Sequence, residues 1–166
     1  MNMNYQHPTD FIERTLELLK QYDNLIPKGR EHYEVTLLLN ACVGLLFNLC
    51  ETKYKSKLPS NVAKFQDIEK KVTICRKYDY DNKQIVEEPK TLLSICKHLR
   101  NSVAHCRFNP NSGTESIETI IFDDYHNGNQ NKHTFHAEID VRVLREFLID
   151  LTEQTLLNIK KRQPTK

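Results

Sequence analysis

Glycine and proline are scarce, with 4 Gly and 6 Pro among 166 residues, about half of their usual combined share of roughly 12%. Helices are therefore expected ahead of a turn-rich all-β fold. A disulfide framework is missing too. The five cysteines, Cys42, Cys50, Cys75, Cys96 and Cys106, are odd in number and include no C-x-x-C pair. In a chain large enough to need no staple, they read as buried free thiols. The start, Met1 to Pro8, has neither a basic region nor an apolar stretch, so no secretory signal and a cytoplasmic location are expected. Internal repeats and low-complexity tracts are absent.

Excess charge of one sign is lacking as well. The 24 Lys and Arg against 22 Asp and Glu leave a net +2 with His neutral, which excludes the strongly basic whole-protein charge of a dedicated duplex binder. Any contact with a polyanion must be local. The longest uncharged run, Val35 to Cys50, is 16 residues, shorter than the roughly 20 a membrane span needs. It reads as a buried central helix, and no membrane partner is expected. Thr36, Asn40, Gly44 and Asn48 fall every fourth residue along it, a small and polar seam that lets another helix come close.

At this length one domain over residues 1–166 is expected, burying roughly 70% of its unfolded surface. Thr9 suits the N-cap of a helix over 10–24, punctuated by Pro27 and Gly29. Residues 51–77 carry eight Lys and Arg against three acidic residues, a local +5. That stretch reads as a solvated surface or an RNA track, with a short helix after Pro59-Ser60. A turn or loop follows at Tyr78 to Asn82, and Pro89 suits the start of a helix from about Lys90 to Cys106. Residues 117–122 and 132–139 are β-branched and aromatic around Asn127-Gly128-Asn129, the signature of one β-hairpin over about 117–139. Asp140 then caps a long last helix bearing Val143, Leu144, Phe147, Leu148, Leu151, Leu156 and Ile159. The fold expected is mainly α, an antiparallel bundle of four to five helices with one β-hairpin insertion.

In the helix over 90–106, Leu92, Ile95, Cys96, Leu99, Val103 and Cys106 form one apolar stripe. Lys97, His98, Asn101 and His105 gather on the opposite side. At about 100° per residue, Arg100 lies about 140° round the helix from His105. Its guanidinium meets that imidazole only by long reach, by a bend, or across a dimer. Metal is not expected. Cys96 and Cys106 lie on the core stripe while His98 and His105 point away, and His133 and His136 are an odd number apart on one strand and so face opposite sides.

Leu99-Arg100-Asn101-Ser102-Val103-Ala104-His105 resembles the R-x4-6-H motif of the HEPN family (higher eukaryotes and prokaryotes nucleotide-binding), in which a polar residue often follows the Arg. The resemblance extends to the order of elements: an apolar helix with Asn40 to Leu46, the motif helix, the hairpin and the long last helix. It looks most like small bacterial stand-alone members. The resemblance implies a homodimeric helical bundle that cleaves RNA without metal or cofactor, both motif copies lining one cleft.

The residue types fit that chemistry. Cleavage through the RNA 2'-hydroxyl needs a group that exchanges a proton near neutrality, and His, with a reference pKa of about 6.5, supplies it. His105 is the candidate general acid/base. Arg100 would grip the phosphate and offset charge developing on its oxygens, and Asn101 would orient the phosphate or the imidazole. Lys97, His98 and Arg107 are candidate RNA contacts. Some HEPN toxins carry, two residues after the motif His, a Tyr that a partner enzyme modifies; here that position is Arg107, which argues against that control. A toxin or phage-defence role with an antitoxin or regulatory partner is one implication. The alternative is a non-catalytic HEPN-like RNA-binding or protein-binding module.

Overall fold

The computed structural model describes residues 9–25, 34–51, 53–112, 117–129 and 131–161. Pro27, Gly29 and the first eight residues lie outside them, so the expected punctuation of the first helix and the reading of the start are not described. Helix α1 spans Asp10–Leu25 and α2 spans Glu34–Glu51. A short 3-10 turn at Lys53–Lys57 leads to α3, Phe65–Lys71. Strands β1, Val72–Asp79, and β2, Gln84–Glu87, precede the motif helix α4, Leu92–Ala104. Strands β3, Phe108–Ser112, β4, Ile117–Tyr125, and β5, His133–Asp140, lead into α5, Val141–Lys160.

The five strands form one antiparallel sheet in the order β2-β1-β5-β4-β3. This corrects the mainly α bundle with a single hairpin inserted. The expected hairpin is present as β4 and β5, but it is the centre of a sheet, flanked by β1 on one side and β3 on the other. The +5 stretch runs into β1, with Lys55, Lys64, Lys70, Lys71 and Lys77 exposed as expected, and Tyr78 and Asp79, expected in a turn, are the last residues of that strand.

One face of the sheet is apolar. Ile120 and Phe122 of β4, Phe135, Ala137 and Ile139 of β5, and Val72 and Cys75 of β1 are buried, while Glu118, Thr73 and Glu138 alternate with them toward solvent. Helices α4 and α5 pack against β4, and α3 and α5 against β5. Beyond them α2 packs on α4 and α5, and α1 on α2 and α5. Leu45, Leu46, Leu49, Ile95, Leu99, Leu144, Phe147, Leu148 and Leu151 are fully or almost fully removed from water in this core. Burying a side chain of this size is worth about 1.5 to 3 kcal/mol, so the helices are held by the sheet rather than by one another alone.

The seam on α2 works as expected at Gly44: a Cβ there would meet Phe11 of α1 at 2.8 Å. The rest of α2 is less enclosed than its uncharged sequence implies, since Asn40 is exposed and Phe47 is 51% exposed. Asp140 caps α5, its carboxylate accepting from the backbone N–H groups of Arg142 and Val143. No helix among the described residues is long and apolar enough to cross a membrane.

Candidate functional site

Helix α4 starts where Thr91 accepts a hydrogen bond from the Ser94 backbone N–H, a side-chain N-cap. It ends two residues earlier than expected. His105 is its C-cap, and Cys106 takes a left-handed φ of 53°. That turn swings Cys106 off the core stripe into solvent, so of the five thiols it alone is exposed. The other four are buried as expected. Burial, reinforced by Cys50, pushes the Cys42 thiol up to about 12, which makes it unreactive near neutrality.

Packed between α2 and β4, α4 is buried on two sides rather than one. Ser94, His98 and Ser102 are buried together with Ile95, Cys96, Leu99 and Val103. His98, expected on the wet face, is therefore enclosed. Its Nδ1 lies 2.9 Å from Asp124 Oδ2 and its Nε2 3.4 Å from Glu88 Oε2, and its ring stacks on Phe135 with centroids 4.9 Å apart.

Asp124 is the residue that the motif alone did not indicate. It is 5% exposed and faces α4 from β4. Its carboxylate meets His98, accepts from Asn101 Nδ2 at 3.0 Å and from Arg107 Nη1 at 3.0 Å, and accepts from the Tyr125 backbone N–H at 2.9 Å. Burial pushes this carboxyl up, but hydrogen bonds from His98 and Asn101, the His98 charge and the Tyr125 N–H outweigh it. Asp124 is thus held below the usual carboxylate range. A signal was legible: Asp124 continues the alternation of Ile120 and Phe122, and an acid on the apolar side of a strand needs partners.

Around this hub opens a cleft of about 760 Å³. Lys97, His98, Asn101, His105 and Arg107 all line it, and so do Arg76, Lys77, Tyr78, Tyr80 and His126 from the strand ends and turns. His105 is exposed where it lines the cleft. Tyr78 stacks on His126 with ring centroids 4.0 Å apart, and Tyr80, 73% exposed, stands edge-on to Tyr78 at 5.0 Å.

Arg100 is not among the cleft residues. Its Nη2 donates to Glu51 Oε1 of α2 at 2.8 Å, while its Nε is buried without a partner among the described residues. The structure thus brings together five of the six candidate site residues and leaves Arg100 on another side of the same helix.

Among the described residues, two groups bring three ligand-type atoms within 4.8 Å of one another: Cys75, Glu88 and His98, and Asp123, His133 and His136. The second corrects the reading that His133 and His136 face apart. A bulge in β5 between Phe135, opposite Asp124, and His133, opposite Tyr125, turns both histidines to one side.

The family model described as HEPN pEK499 p136 matches residues 1–163. No curated protein and no solved structure matches the chain.

Proposed function

Because the chain belongs to the HEPN pEK499 p136 family, we propose that it is a metal-independent endoribonuclease that cleaves single-stranded RNA through the 2'-hydroxyl. The observation that carries this reading is that His105 lines one cleft with Lys77, Lys97, Arg76 and Arg107 and with the Tyr78, Tyr80 and His126 rings. Cations track a phosphate backbone and exposed aromatic faces stack bases, which is the combination that single strands require.

In this reading His105 removes the proton from the 2'-hydroxyl or delivers one to the leaving 5'-oxygen. The 2'-oxygen bonds to phosphorus, the bond to the 5'-oxygen breaks, and a 2',3'-cyclic phosphate remains. Arg100 offsets the charge that develops on the phosphate oxygens. Asn101, tied to Asp124, orients the phosphate. Arg100 lies on another side of α4 from His105, so we place the working site at a two-fold axis where each chain contributes to a shared cleft. A toxin or defence role with a regulatory partner is consistent with this activity, and Arg107 in place of the Tyr modified in some HEPN toxins points to a different mode of control.

A second reading, an RNA-binding module without cleavage, is favoured by the Arg100–Glu51 ion pair, which holds the proposed phosphate clamp away from the cleft. The test is incubation of the purified chain with single-stranded RNA and DNA in excess EDTA. RNA should be cut and DNA spared, and His105→Ala should cut neither. Binding of RNA without cleavage establishes the second reading, and cleavage that requires a divalent metal overturns the first.

A further inference from the structure

The bulge between β4 and β5 creates a second group of side chains outside the cleft. Asp124 pairs with Phe135 and Tyr125 with His133, so Thr134 is an extra residue on β5. On a regular strand His133 and His136 would face opposite ways; the inserted residue cancels that offset. Both histidines then reach one oxygen. His133 Nε2 and His136 Nδ1 each lie 2.8 Å from Asp123 Oδ1. Tyr125 stacks on His133 with ring centroids 4.7 Å apart, which fixes that imidazole.

Around a tetrahedral ion with bonds of about 2.0 to 2.1 Å, donor atoms lie about 3.3 Å apart. The two 2.8 Å separations are hydrogen bonds to Asp123, and an ion seated among the three groups replaces them with an opening of about half an ångström. The side chains are 29%, 35% and 28% exposed for His133, His136 and Asp123, which leaves the outer coordination positions to water. Two imidazole nitrogens and one carboxylate suit a transition ion, whereas Mg²⁺ and Ca²⁺ prefer all-oxygen sets. The group of Cys75, Glu88 and His98 fits less well, because Cys75 is buried, which disfavours the thiolate form that binds a metal.

We propose that Asp123, His133 and His136 form a binding site for a divalent transition ion of the Zn²⁺ type that clamps β4 to β5 across the bulge. The ion takes the lone pairs of His133 Nε2 and His136 Nδ1, so each ring keeps its proton on the other nitrogen. None of the three residues lines the cleft, and the clamp is separate from RNA cleavage, which needs no ion in the reading above.

The test uses the whole chain, stripped with chelator, dialysed under a non-thiol reductant and titrated with ZnCl₂ by calorimetry. One equivalent should bind per chain with a rise in Tm, and MgCl₂ should give neither. The His133→Ala/His136→Ala double variant should bind Zn²⁺ at least tenfold more weakly, and Cys75→Ser should bind as the wild type does. Co²⁺ supplies a check that does not depend on how the variants fold: the bound ion should show visible bands without a thiolate charge-transfer band. Absence of saturable Zn²⁺ binding to the wild type, unchanged binding by a folded double variant, loss of binding in Cys75→Ser, or a thiolate band would overturn the site.

Discussion

Arg100 and His105 share one helix yet serve different surroundings: the Arg100 guanidinium donates to Glu51 of α2 at 2.8 Å, while His105 lines the cleft beside Lys97 and Asn101. In the proposed function, a site that needs both groups on one phosphate draws on two chains. Arg100→Ala and His105→Ala should each be inactive alone. If each site takes its arginine from one subunit and its histidine from the other, a mixed dimer has one intact site and one that lacks both groups. After refolding the two variants together, free exchange makes about half the dimers mixed, so activity should recover to about a quarter of wild type on this symmetric model. No recovery despite proven subunit exchange would contradict the composite site.

Function and folding should separate on α4. Leu99 is 0% exposed, so Leu99→Ala should cost about 2 to 5 kcal/mol. His105 is exposed, and His105→Ala should abolish cleavage while changing stability by no more than about 0.5 kcal/mol. Urea denaturation of both variants checks the contrast, and unfolding of His105→Ala would make the histidine structural.

Asp124 should link stability to pH. Its folded carboxyl lies below the ordinary value, so its ionised form contributes stability above the unfolded value, about pH 3.9, and that contribution fades as pH falls through the folded value. Asp124→Asn should lose about 1 to 3 kcal/mol at pH 7, measured by urea denaturation. The gap to wild type should narrow below pH 4. An equal gap at pH 3 and pH 7 would show that the charge of Asp124 contributes nothing.

Tyr80 should act on RNA affinity alone. A base stacked on an aromatic ring contributes about 1 to 3 kcal/mol, so Tyr80→Ala should weaken binding of single-stranded RNA to a His105→Ala background by about fivefold or more. Its exposure predicts an unchanged Tm. Fluorescence anisotropy with a labelled oligonucleotide measures the affinity, and equal binding by both proteins would remove Tyr80 from the RNA path.

The helices and the hairpin were legible because their signals are local. Asp140 caps α5, and Asn127 and Gly128 with φ of 51° and 71° make the turn. The outer strands were not. A register shift between Val72 and Ile74 leaves Val72 and Cys75 as the buried positions of β1, so its alternation is broken inside a basic stretch. Strand β3 carries Pro110, which a sheet tolerates there because β3 is an edge. His98 was misplaced because one apolar stripe on α4 was matched to one packing partner, whereas α4 meets both α2 and β4. The bulge that gathers His133 and His136 depends on the pairing of two strands, and no single-strand periodicity reveals it.

The central claim, attack by the 2'-hydroxyl with His105 moving the proton, is tested most directly by the ends left on a cleaved oligonucleotide. We predict a 2',3'-cyclic phosphate, or its hydrolysis product, and a 5'-hydroxyl, formed in EDTA, with no cleavage where the 2'-hydroxyl at the cut nucleotide is replaced by hydrogen. A 5'-phosphate with a 3'-hydroxyl, or continued cutting at the 2'-deoxy position, would contradict the account.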